Sequence, residues 1–232
     1  MRLIEFIKEY KTLIGSIIGS FFAIISSIGL WYLKTRFEKN SQIRGDKKEV
    51  ENIFLRASRE CQDSIGNLKN FVNKSGEIIK NRTAELNVIL PAKFNKIYIN
   101  EERLFVLSKN FHHIISQQID IAVSAAKKFN SWLEMYEESP QIFYKYNIED
   151  LKANIKSKDE MIESFQEDQR RYILGIEDCL KNKVEIIQIQ LLRPVVALQK
   201  KDKGLEGMAL SGNLDKILDD EAKFNLKLNN AI

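Results

Sequence analysis

From Leu13 to Leu33 the chain runs 21 residues without a charge (LIGSIIGSFFAIISSIGLWYL). A helix rises 1.5 Å per residue, so such a run is about 31 Å long, the thickness of a bilayer's hydrocarbon core. Two other structures share that length. A buried core helix rarely stays apolar on every face for so long. A cleavable signal peptide has a shorter apolar region and a small-x-small cleavage site, whereas this run ends in Leu-Trp-Tyr-Leu. The sequence therefore predicts an uncleaved transmembrane helix over 13–33, with Trp31 and Tyr32 at headgroup depth.

Charge is distributed around this run. The whole chain, 232 residues, carries a net +4. Residues 34–48 alone hold Lys34, Arg36, Lys39, Arg44, Lys47 and Lys48 against Glu38 and Asp46, so the excess sits in one block. A generally basic nucleic-acid binder, a disordered tail and a disulfide-stapled miniprotein are all excluded by this pattern. Three basic residues precede the span and six follow closely, so the C-terminal side is expected to be cytoplasmic. A compact single-pass layout suggests a bacterial inner membrane. The block can also contact anionic headgroups, at about 1 kcal/mol per basic residue. Nucleic acid is not expected to bind charges pressed against a bilayer.

Gly15, Gly19, Ala23 and Ser27 recur every four residues through the span. Lipid tails are as apolar as Leu, so membrane helices associate by close approach, which small residues permit. Self-association is the expectation.

Beyond the span the pattern is helical throughout, and the predicted fold class is all-α: a single transmembrane helix followed by a cytoplasmic bundle of long, coiled-coil-like helices. Residues 1–12 form a short amphipathic lead (Leu3, Ile4, Phe6, Ile7), 34–48 a basic juxtamembrane segment and 49–199 the bundle. Residues 200–232 are expected as a linker and a tail or marginal helix. The first stripe, at 50, 54, 57, 61, 64, 68, 71, 75 and 78, is largely apolar at alternating spacings of four and three. A break follows over 87–100, centred on Pro91. A second long helix starts after the N-cap candidate Asn100 and is expected to end before Ser139-Pro140, with its stripe at 104, 107, 111, 114, 118, 121, 125, 128 and 132. A short helix covers 141–155. Ser157 and Glu160 make a capping box for a third long helix that Pro194 should kink or end. Lys200 to Gly204 read as a linker, and Ser211-Gly212-Asn213 as a turn. Val184–Leu198 is apolar enough for a second span, but Glu185, Arg193 and Pro194 interrupt it and make it a buried core segment.

Site chemistry is sparse. His112 and His113 are adjacent and point about 100° apart on a helix, so they cannot share an ion as i, i+4 ligands do. The Arg-x4–6-His spacing of helical HEPN-type ribonucleases is not met, since eight residues separate Arg103 from His112. Cys61 and Cys179 are single, fall on apolar stripes and suit a reducing compartment. No GxxxxGK[ST] or GxGxxG occurs. Phe143, Tyr144 and Tyr146 could stack bases, but their surroundings are not basic, and core packing is the expectation.

No catalytic residue, metal ligand or cofactor site is therefore read from the sequence. Its functional expectation is a non-enzymatic membrane anchor whose cytoplasmic domain self-assembles and binds a protein partner. One alternative is an oligomeric, membrane-perturbing or pore-forming effector of toxin or phage-defence type; the other is a membrane-tethered enzyme.

Overall fold

The computed structural model describes residues 2–80, 93–153 and 157–230; within α1 the side chains of 2–9, 12–15, 17 and 77–80 are outside that description. Pro91, Ile155 and the side chains of the amphipathic lead therefore lie outside the described residues. Seven helices and no strand occur among the described residues: α1 (Arg2–Lys80), α2 (Glu101–Ser108), α3 (His113–Lys152), α4 (Lys158–Asn182), α5 (Val184–Gln199), α6 (Asp202–Leu210) and α7 (Leu214–Asn230). The all-α expectation holds. The chain divides into two compact units, Met1–Asp46 and Lys47–Ile232.

In the second unit, α1 presents the anticipated stripe. Val50, Phe54, Ala57, Cys61, Ser64, Leu68 and Ser75 are buried and Phe71 is half-buried. Each fully buried Phe or Leu of this kind contributes about 1.5–3 kcal/mol. Two apolar clusters result. One joins Cys61, Leu68, Phe129, Leu133, Tyr172, Ile176 and Leu191; the other joins Val50, Phe54, Leu107, Ile115, Leu192, Leu205 and Leu218. Helix α5 contributes to both, and from Leu191 to Leu198 only Arg193 is not fully buried. The core-segment reading of Val184–Leu198 is thus correct.

Residues 93–100 are an extended strap laid antiparallel to α1 and α3. Five of its peptide groups are bonded by side chains of those helices. The Phe94 N–H donates to Glu137 Oε1 (2.7 Å), and the Tyr98 N–H to Glu60 Oε2 (3.0 Å). Asn130 takes both sides of one residue: Oδ1 accepts from the Ile97 N–H and Nδ2 donates to the Ile97 carbonyl, each at 2.8 Å. The Ser64 hydroxyl donates to the Asn95 carbonyl. Phe94 and Ile97 are buried, and the Phe94 ring meets Phe71 edge-on at 5.7 Å.

Four boundaries depart from the expected ones. The second long helix is interrupted at 109–112, between α2 and α3, although neither Gly nor Pro occurs there. The expected stripe is buried at Leu104, Leu107, Ile114, Gln118 and Ala125 and half-buried at Phe111, Ile121 and Trp132, whereas Lys128 is exposed; the buried face of α3 also takes in Ile115, Ile119, Ala122, Ala126, Phe129, Leu133 and Tyr136.

Helix α3 does not end before Pro140 but runs through it to Lys152. Proline cannot donate to the carbonyl four residues back, here Tyr136. That carbonyl instead accepts from the Tyr172 hydroxyl of α4 at 2.7 Å, in a buried contact. The Tyr136 hydroxyl in return donates to the Gly175 carbonyl at 3.2 Å. The two tyrosines clasp α3 to α4.

The third long helix is interrupted at Lys183, and Pro194 does not end a helix but lies inside α5. The capping box at its start is present, with Ser157 Oγ accepting from the Glu160 N–H and Glu160 Oε2 from the Ser157 N–H.

Asp202-Lys203-Gly204, expected within a linker, begin α6, and Leu214–Asn230 form a packed helix. Leu218, Ala222 and Leu226 of α7 are buried, and Arg193 of α5 lies between Asp219 (2.6 Å) and Asp215 (3.0 Å). The Arg193 side chain is only 12% exposed, so these acids neutralise a charge largely withdrawn from water. The turn at 211–213 is present, and Gly212 adopts φ +70°, which suits glycine at a helix end.

Candidate functional site

In the first unit α1 carries an apolar run whose described side chains are exposed. From Ile18 to Gln42 every residue is exposed, including Ile18, Phe21, Phe22, Ile24, Ile25, Ile28 and Leu30. A core helix would be buried on at least one face. This helix is long and apolar enough to cross a membrane, and it lies near the N-terminus.

Gly15, Gly19, Ala23 and Ser27 all lie in α1, and four-residue spacing places them along one i±4 ridge. Gly19, Ala23 and Ser27 are exposed. A Cβ built at Gly19 would meet nothing within 4 Å, and the same is true at Gly29, which lies off the ridge. At Gly19, Ala23 and Ser27 the ridge is open for another backbone to approach.

Trp31 and Tyr32 are exposed, Trp31 at 68%. The Thr35 hydroxyl donates to the Trp31 carbonyl at 2.9 Å, so this polar side chain is satisfied locally at the end of the apolar run. Lys34 lies 3.9 Å from Glu38. Arg36, Lys39, Arg44 and Lys48 are exposed and make no ion pair among the described residues. Lys47 differs: it is partly covered and lies 3.9 Å from Asp202 of α6, within the second unit. Lys47 and Lys48 belong to the second compact unit, which begins at Lys47.

The residues tested for chemistry disperse. His112 Nε2 lies 3.0 Å from Glu206 Oε1, and its ring stands 4.3 Å from that of His113, which is exposed. Burial pushes the Cys61 thiol up to about 12 and raises the Cys179 thiol as well, which keeps both in the weakly nucleophilic protonated form. Among the described residues no group of three or more His, Cys, Asp or Glu gathers as metal ligands would. Phe143 packs against Tyr172 (6.4 Å between rings), as expected for a core residue, whereas Tyr144 and Tyr146 are exposed.

Sequence reasoning missed the Asn130, Glu137 and Glu60 contacts to the strap and the Tyr136–Tyr172 clasp. Both depend on partners more than thirty residues apart, and no local spacing signals them. It also left unassigned a visible signal: Leu104 to Leu107 are four consecutive apolar residues, too many for one face of a helix.

No family model, curated protein or solved structure matches this chain.

Proposed function

We propose that this protein is a non-enzymatic, single-pass membrane anchor whose helical bundle, with its coiled-coil-like faces, lies in the cytoplasm and recruits a protein partner while the spans self-associate. The observation that carries the reading is the exposed apolar run of α1, uncharged through Leu33 and followed by basic residues. An apolar surface of this extent on every side of a helix is stable only in lipid or against another apolar surface. The lysine and arginine excess after the run favours a cytoplasmic C-terminal side, and a bacterial inner membrane fits the layout. The ridge of Gly15, Gly19, Ala23 and Ser27 supports close helix pairing. Arg36, Lys39 and Arg44 suit anionic headgroups.

The test is the oligomeric state of the full chain in detergent. Gly19→Leu should abolish self-association, whereas Gly29→Leu, equally open but off the ridge, should leave it intact. Loss of association in both variants, or in neither, refutes packing along this ridge. The effector reading draws on the same open ridge. It prevails if expression collapses the membrane potential and Gly19→Leu cures the effect while the protein still inserts.

A further inference from the structure

Exposed apolar side chains are dispersed over the helical unit, but at one end they stand beside lysines. The strap runs from the level of Phe71 back toward the start of the unit. It delivers α2 next to Glu49, onto which Arg103 forks at 2.8 and 2.9 Å. At the corner between α2 and α3, His112 reaches Glu206 of α6, and Asp202 of the same helix is at Lys47. The corner and α6 therefore both sit where the chain enters the unit from the basic block.

Helix α2 turns Leu104 and Leu107 into the core. On its outer side it leaves Phe105 75% and Val106 61% exposed. Lys109 follows at the corner, and Lys48, Lys201 and Lys203 are exposed at the same end. These four lysines make no ion pair among the described residues. Of the acids beside them, Glu49 is paired with Arg103 and Asp202 with Lys47, Glu206 is in hydrogen-bond contact with His112, and Glu102 is exposed.

From this juxtaposition we propose that the α2–α3 corner, with Phe105, Val106, Lys109, Lys201 and Lys203, docks on the headgroup–acyl boundary of an anionic bilayer. The inference rests on the reading of 13–33 as a span and assigns a second contact to the same membrane. Apolar side chains flanked by lysines suit that boundary: the first bury beneath the headgroups and the second pair with their charge. Only thirteen residues separate Leu33 from Lys47, so the corner's unit is joined to the span by a short stretch of chain.

The full chain would be placed in phosphatidylcholine vesicles with and without 30% phosphatidylglycerol, each tested with a shallow and, separately, with a deep lipid-borne quencher, the deep one reading position 22 and the shallow one positions 110 and 174. A fluorophore would be attached at Phe22→Cys in the apolar run, at Asn110→Cys in the corner, or at Leu174→Cys, an exposed site on α4. Cys61 and Cys179 are buried, which confines labelling to the new thiol. Quenching is expected at position 22 in both vesicles, at position 110 only with phosphatidylglycerol, and at 174 in neither. Lys109→Glu with Lys201→Glu and Lys203→Glu should reduce the lipid-bound population of the corner by about tenfold or more. Phe105→Ser with Val106→Ser should also reduce it, at unchanged helicity. Quenching at 22 without quenching at 110 overturns the corner contact while leaving the span intact. Equal quenching at 110 in both vesicles removes the anionic preference, and no quenching at 22 refutes the span itself.

Discussion

Replacing Tyr172 with Phe removes one oxygen atom, yet it should leave a buried carbonyl without a donor. Helix α3 continues through Pro140, so the Tyr136 carbonyl has no N–H four residues ahead, and the Tyr172 hydroxyl takes that role at 2.7 Å. An unsatisfied buried acceptor costs about 1–3 kcal/mol. For a folded unit of 150–250 residues, 1 kcal/mol corresponds to about 2–4 °C in melting temperature, so Tyr172→Phe should lower it by about 2–12 °C. The second half of the cycle is Pro140→Ala, which restores the N–H and removes the clash of the ring with the preceding turn. In that background the carbonyl has a helical donor, and Tyr172→Phe should cost less than about 0.5 kcal/mol. Thermal melts of the full chain in detergent, followed by helical circular dichroism, measure all four corners of the cycle. Equal losses with and without Pro140 would show that the hydroxyl does not substitute for the missing helical donor, and the account of α3 would fail.

Leu218→Ala on α7 should cost about 2–5 kcal/mol, because that side chain is fully buried against α5, whereas Phe224→Ala on the same helix, 62% exposed, should shift the melt little. Similar effects from both would return α7 to the status of a loosely attached tail. Burial raises the Tyr136 and Tyr172 phenols above their ordinary value of 10, so their contribution is intact below pH 10 and is lost as pH rises above it. Cys61 adds a similar loss between its ordinary 9 and about 12. Melting temperature plotted against pH should therefore fall steeply above 10, and Tyr136→Phe with Tyr172→Phe should flatten that fall although the double variant starts lower; an unchanged slope contradicts the shift.

Elements whose stability is local were legible in the sequence. The stripe from Val50 to Ser75 identified the inward face of α1 because a helix repeats every few residues and its core neighbours follow that repeat. Asn100 and Ser157 identified two helix starts because a cap acts within three residues: Asn100 Oδ1 accepts from the Arg103 N–H, and Ser157 Oγ from the Glu160 N–H. What was hidden depends on distant partners. Pro140 is tolerated because a tyrosine 32 positions later completes its hydrogen bonding. Residues 202–204 are helical although Gly204 and Gly207 are poor helix formers; Leu205 is fully buried and Asp202 and Glu206 meet Lys47 and His112. The interruption at 109–112 has no local sequence signal. The contact of Lys47 with Asp202 was likewise hidden, because its partner lies 155 positions away.

The strap also sets where this protein can change without harm. Its grip is on peptide groups, which every residue type shares, so most of its side chains are free to vary so long as Phe94 and Ile97 still fill the core. The discriminating chemistry lies instead on the receiving helices. Asn130 must present an acceptor and a donor together, and an Asp or Leu of similar size satisfies only one of these demands or neither. Selection on this region should thus fall on Asn130, Glu137 and Glu60 more than on the strap they hold, so that a segment of apparently drifting sequence keeps a fixed backbone path.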